Sequence, residues 1–152
     1  MIRNVIFDWS GTLVDDLPAV WKATNQVFTR AGRPEISLEQ FRAEFCLPYQ
    51  SFFERHTPDI PVPQLEAWFH AAFREWQDSV VAQPHAREFL EFCRQHGARM
   101  VVLSAVTEEH FLKQSQAAGF APFFDRAHLD VPDKRQVIHA VLLENNFQPE
   151  ET

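Results

Sequence analysis

Val5-Ile6-Phe7-Asp8-Trp9-Ser10-Gly11-Thr12-Leu13-Val14-Asp15 is the stretch on which the reading of this 152-residue chain depends. Three apolar residues in a row, two of them β-branched, stop at an acid, which is how a short strand buried on both faces looks in sequence. The short Trp9-Ser10-Gly11-Thr12 segment predicts a sharp turn, so Asp8 is left at the strand's carboxyl end. In an open α/β sheet that end is where ligands bind, and a turn with free backbone N–H groups attracts anions. On its own an Asp after an apolar strand says little, because Asp commonly starts turns. The rest of the chain supplies the context.

Moving outward, Leu17, Val20, Trp21, Thr24, Val27, Phe28 and Ala31 recur at three- and four-residue spacing up to Gly32, predicting an amphipathic helix over 16–31. Ser37 with Gln40 has the form of a capping box, and Leu38, Phe41 and Phe45 follow on one face until Pro48. Prolines make 57–63 irregular, after which Leu65, Trp68, Phe69, Ala72, Phe73, Trp76 and Val80 form the stripe of another helix. Pro84 opens a helix with Ala86, Phe89, Leu90 and Cys93 inward and Gly97 at its end. Met100 to Leu103 read as a second buried strand ending at Ser104. Thr107 caps a helix bearing Phe111, Leu112, Ser115 and Ala118. A third strand spans 125–129, and a last helix runs from Lys134 through Val137, Ile138, Val141 and Leu142 to Asn146.

Alternating strands and helices predict a parallel sheet. The expected layout is therefore a discontinuous α/β core made of 1–15 and 83–152, interrupted by an all-helical insertion over 16–82. Inserted after the first strand's turn, those helices would lie as a lid above the strands' carboxyl ends.

Composition narrows the function classes. With 45% apolar residues the chain buries a real core, and 15 Phe with only four Gly suit greasy helices. A formal charge of −7 with 14 scattered basic residues leaves no positive footprint for nucleic acid or an anionic membrane. Cys46 and Cys93 each sit in an apolar stretch of predicted helix, as reduced core thiols do in a reducing cytoplasm. The amino terminus lacks a signal-peptide layout, and no apolar run approaches the ~20 residues that span a bilayer. The seven His show no metal-ligand spacing.

Asp8-Trp9-Ser10-Gly11-Thr12-Leu13 resembles the first motif of the haloacid dehalogenase superfamily, which runs Asp-x-Asp-Gly-Thr-Leu. Ser104, ending the second strand, is similar to the Ser or Thr of that family's second motif, and Lys134 to the Lys of its third. The helical insertion resembles the family's small α-helical cap, as in phosphoglycolate phosphatase-like members. The resemblance implies a Rossmann-like parallel sheet and a Mg²⁺-dependent phosphatase or phosphotransferase acting on a small phosphorylated metabolite. It casts Asp8 as the nucleophile that forms an aspartyl phosphate, with Ser104 and Lys134 holding the transferring oxygens. Ser10, Gly11, Thr12 and Ala105 would line the phosphate site, while Asp8 and the backbone carbonyl of Ser10 would face the metal.

Two departures from the family pattern stand out. Position 10 holds Ser where phosphatases of this family carry a second Asp, the general acid and base worth roughly 10²–10⁴ in rate. The family's fourth motif, an acidic pair at the end of a fourth strand, would lie beyond Thr152, so weak metal binding is expected. The first strand would then be an unprotected edge, as in a truncated chain or one whose edge is covered by a partner or by self-association. Ser10 also opens two alternatives. One is a phosphonatase- or dehalogenase-like hydrolase, for which Lys22 is the sole lysine of the insertion; the other is a degenerate domain that binds without catalysis.

Overall fold

Strand β1 (Asn4–Phe7) stops just before Asp8. The chain then folds tightly on itself, because the carbonyl of Trp9 accepts backbone N–H bonds from Thr12, Leu13 and Val14. Gly11 takes a φ of 73°, which a Cβ would oppose. A two-residue strand, β2 (Val14–Asp15), follows. The computed structural model describes residues 1–152, and its contacts divide the chain into two units, Met1–Asp15 with Val81–Thr152, and Asp16–Val80.

The unit Asp16–Val80 is all helical: α1 (Leu17–Arg30), α2 (Leu38–Glu44), α3 (Gln50–His56) and α4 (Val62–Trp76). Its aromatic core joins Phe28, Phe41, Phe52 and Phe53 to Val27, Ile36 and Leu65. A second cluster sets Ala19 and Ala23 of α1 against Ala72 and Phe73 of α4, the three alanines letting the two helices approach. Ser37 caps α2 by accepting the Gln40 N–H at 3.0 Å, but the Gln40 side chain turns to Glu44, so only half of the expected capping box forms. Helix α3 escaped the sequence reading because Pro48 and Pro58 leave it too short to show a helical period. Cys46, expected within a helix, lies instead in the connection between α2 and α3.

The other unit resumes with β3 (Val81–Ala82), which pairs antiparallel with β2 through Val14 with Ala82 and Asp15 with Val81. Strands of two residues carry no periodic signal, and this ribbon was not anticipated. Then come α5 (Ala86–Gln95), β4 (Arg99–Leu103), α6 (Glu108–Ala118), β5 (Arg126–His128) and α7 (Ile138–Asn145). The sheet is parallel in the order β1-β4-β5, with Asn4 opposite Arg99 and Val101 opposite Arg126. Met100 to Leu103 in the middle strand are all buried, which explains their unbroken apolar run. On one face Val101 and Leu103 pack with Val141 and Phe147. Elsewhere in the unit the Trp9 ring meets Phe111, Phe120 and Phe124 edge-on.

Two details correct the sequence reading. Phe89 does not point inward; it is 50% exposed, touching Phe7 only by its edge at 5.9 Å. Strand β1 ends the sheet, so the outer stripe of α5 has nothing beyond Phe7 to bury against, and Phe89 stacks on the equally exposed Phe92. Lys134 does open a helix, as expected, but its first turn is 3-10 and not α. It stands in a 3-10 turn, Lys134–Gln136, capped by the Asp133 side chain, and α7 starts four residues later. No helix is long and apolar enough to cross a membrane.

Candidate active site

Asp8 and Lys134, 126 positions apart by their numbers, meet at the carboxyl end of β1. The Lys134 Nζ lies 2.7 Å from Asp8 Oδ1, both side chains being about one third exposed. The backbone N–H of Trp9 donates to the same oxygen at 2.7 Å. One carboxylate oxygen therefore takes two short donors, one of them charged, and Oδ2 remains open.

The neighbours of Lys134 explain why it, and not Arg135, reaches Asp8. Asp133 accepts from the Arg135 backbone N–H at 3.1 Å and grips its guanidinium in a fork, both bonds 2.9 Å. That hydrogen-bonding Arg135 holds the Asp133 carboxyl below its ordinary value of 3.8. With the arginine's charge tied to Asp133, the lysine is the cation free to turn towards β1.

The loop before Lys134 is fastened to the end of β4. Val131 N–H donates to the Ser104 carbonyl and Asp130 N–H to that of Val106, each at 3.0 Å, and Asp130 takes a φ of 56°. Ser104 is buried; its N–H donates to His128 and its Oγ accepts from the Val106 N–H at 3.3 Å. A cleft of about 400 Å³ opens here, lined by Ile6, Phe7, Asp8, Leu103, Lys134, Arg135 and Ile138.

The structure thus brings together Asp8 and Lys134 of the predicted set. Ser104 sits next to the cleft-lining Leu103 but does not line the cleft itself, and neither do Ser10, Gly11, Thr12 or Ala105. Ser10, Gly11 and Thr12 are exposed and Ala105 is half-buried. The N–H groups of Gly11 and Thr12, expected as free anion donors, are taken up inside the turn by the carbonyls of Val14 and Trp9.

Magnesium takes six oxygens, commonly one or two carboxylates with water and phosphate. Asp8 offers Oδ2 and Ser10 its carbonyl, but no group of three His, Cys, Asp or Glu side chains gathers anywhere to complete a shell. These residues do not make a magnesium site by themselves.

With this geometry in view, residues 5–152 match the haloacid dehalogenase-like hydrolase family. The chain belongs to that family. Among curated relatives, a phosphoglycolate phosphatase of Pseudomonas putida is 28% identical over 111 residues, covering 67% of this chain and 41% of the relative. The chain therefore spans less than half the length of that protein. Solved structures of the same architecture include a haloacid dehalogenase-like hydrolase of Streptococcus pneumoniae, with a TM-score of 0.81 at 19% identity, covering 97% of this chain and 72% of that one. CbbY from Rhodobacter sphaeroides in complex with phosphate gives 0.81 at 17% identity, covering 99% and 76%. At such identities these likenesses establish the fold.

Set within this hydrolase family, two features of the site were missed in the sequence. The Trp9 N–H bond to Asp8 is a property of backbone conformation that no residue type announces. Arg135 in the cleft wall was signalled only by standing next to Lys134.

Proposed function

We propose that this haloacid dehalogenase-like chain carries the nucleophile and the phosphate-facing cation of a phosphohydrolase for a small phosphorylated metabolite. The observation that carries the reading is the 2.7 Å pair of Asp8 and Lys134 with Asp8 Oδ2 left open. In this scheme Oδ2 attacks phosphorus while the leaving oxygen departs, giving an aspartyl phosphate that water later hydrolyses. Lys134 meets the negative charge spread over the transferring oxygens, and the Trp9 N–H holds the attacking carboxylate in place. The buried Ser104 serves by pinning the Lys134 loop, through its carbonyl, and by offering its hydroxyl near the cleft. A phosphoglycolate phosphatase among the relatives and a phosphate-bound CbbY among the structures support phosphate as the recognised group.

The helical unit Asp16–Val80 is proposed as the cap that selects the substrate. Magnesium is proposed as the cofactor, which would polarise the phosphoryl oxygens; Asp8 has only Oδ2 open, so metal binding and attack compete for that oxygen and binding through Asp8 and the Ser10 carbonyl is expected to be weak. Free Cys46 and Cys93 suit a reducing compartment such as the cytoplasm.

Fluoroberyllate with Mg²⁺ imitates an aspartyl phosphate. Calorimetric melting of the wild type in its presence should show a rise in Tm, and Asp8→Asn should lose that rise. Absence of any rise in the wild type overturns the proposal. Ser10 favours a second reading, phosphate binding without turnover, since it puts an exposed hydroxyl where the family's general acid belongs. That reading expects the same rise in Tm but no hydrolysis even of an activated aryl phosphate.

A further inference from the structure

We propose that Gln114, on the second turn of α6, is a positioning residue for Asp8, acting through the indole of Trp9. This rests on the phosphohydrolase reading of Asp8 given above. Trp9 is wholly buried, and its Nε1 donates to Gln114 Oε1 at 2.7 Å. Three rings, Phe111, Phe120 and Phe124, close around the indole edge-on, with Phe111 nearest at 4.7 Å between centroids. The same residue's backbone does the work of the nucleophile turn. Its N–H holds Asp8 Oδ1 at 2.7 Å, and its carbonyl gathers the N–H groups of Thr12, Leu13 and Val14. The orientation of the Asp8 carboxylate is therefore fixed by a peptide whose own side chain is locked by one hydrogen bond to α6.

Gln114 is itself 4% exposed, and its Nε2 has no hydrogen-bond partner. A buried amide with an unpaired donor is unfavourable, and an apolar side chain of like size would avoid it. What the amide supplies there is an acceptor for Trp9 Nε1, without which the indole N–H would be buried unpaired. Rings packed edge-on restrain the indole by contact but do not fix which way its N–H points. The Gln114 carbonyl supplies that direction, and with it the setting of the peptide that holds Asp8.

The test compares Gln114→Met, which keeps length and apolar contact but removes the acceptor, with Trp9→Phe, which removes the donor, and with the double variant. In ¹H–¹⁵N spectra without ligand, Gln114→Met should move the indole resonance of Trp9 and also its backbone amide, which reports the bond to Asp8. In the presence of Mg²⁺, fluoroberyllate should bind about tenfold more weakly to each single variant, as small misplacement of a reacting group allows. The double variant should be no weaker than the weaker single, because both changes break one bond. A Gln114→Met protein with a lowered Tm but a wild-type Trp9 amide and fluoroberyllate midpoint makes Gln114 merely structural and overturns the proposal. Additive losses in the double variant overturn it as well. If the wild type binds no fluoroberyllate, the phosphohydrolase reading fails, and the Trp9 amide in Gln114→Met still decides whether Gln114 positions Asp8. Should Gln114→Met not fold, Trp9→Phe tests the same bond from its other end, read on the backbone amide of residue 9.

Discussion

Asp8 divides its labour between its two oxygens. Oδ1 is held by Lys134 and the Trp9 N–H, so in the proposed mechanism Oδ2 is the oxygen that attacks. What this carboxylate lacks is a proton donor two residues on, where Ser10 stands exposed. Without general acid help the leaving oxygen must depart as an anion, so aryl phosphates should be turned over far better than alkyl phosphates. Ser10→Asp should raise kcat for alkyl phosphates by roughly 10²-fold and for aryl phosphates much less; equal gains on both would mean the new acid does not protonate the leaving group. At this scale the sequence was informative about the meeting of Asp8 and Lys134, because residue type and place at the ends of elements single out which charged groups can converge. It was silent on the Trp9 N–H, on the Asp133 fork that sets Arg135 aside, and on Gln114. Those depend on backbone direction and rotamer, which residue identity does not encode.

At the scale of elements, α6 shows how local signals become structure. Thr107 caps its first turn by accepting from the His110 N–H, and Gly119 closes it at a φ of 67°. A Cβ at position 119 would stand 2.8 Å from Arg87 Nη2, the atom that donates to the Ala118 carbonyl at 2.6 Å. Gly119→Ala should therefore lower stability by about 1–2 kcal/mol from left-handed backbone strain alone, with the Arg87 bond lost in addition. A urea midpoint equal to the wild type would show that the backbone at 119 leaves the left-handed region without cost and that Arg87 swings aside. Longer elements with a cap at each end were legible in just this way. The elements that escaped, α3 and the β2–β3 ribbon, are too short for hydrophobic spacing to rise above chance, and their formation depends on partners far along the chain. The misjudged face of α5 has a related cause. Its apolar stripe was read correctly as apolar, but which part of the stripe is covered depends on where the sheet ends.

At the scale of the molecule, two separate cores stabilise two units, and their stabilities need not respond alike to conditions. The helical unit holds the only tyrosine in the chain, Tyr49, whose hydroxyl donates to Glu66. Burial, and then the Glu66 carboxylate, push this phenol well above its ordinary value of 10.0. In the unfolded chain it ionises near pH 10, whereas in the fold it stays protonated to higher pH. The stability contributed by the pair is therefore fully present below about pH 10 and is lost as pH rises past it. Chemical unfolding followed from pH 8 upward should show a steeper alkaline loss in the wild type than in Tyr49→Phe; parallel curves would mean the phenol is not shielded.

The stacked Phe89 and Phe92 rings on the outside of α5 also bear on how any of these comparisons is read. Environment-sensitive dyes that brighten on apolar surface would report those rings in the native protein, so a dye-based melt should start bright and understate the transition. With Trp21, Trp68 and Trp76 of the helical unit replaced by Phe, the emission of Trp9, sealed in the interior until the sheet unit opens, gives a signal without that background.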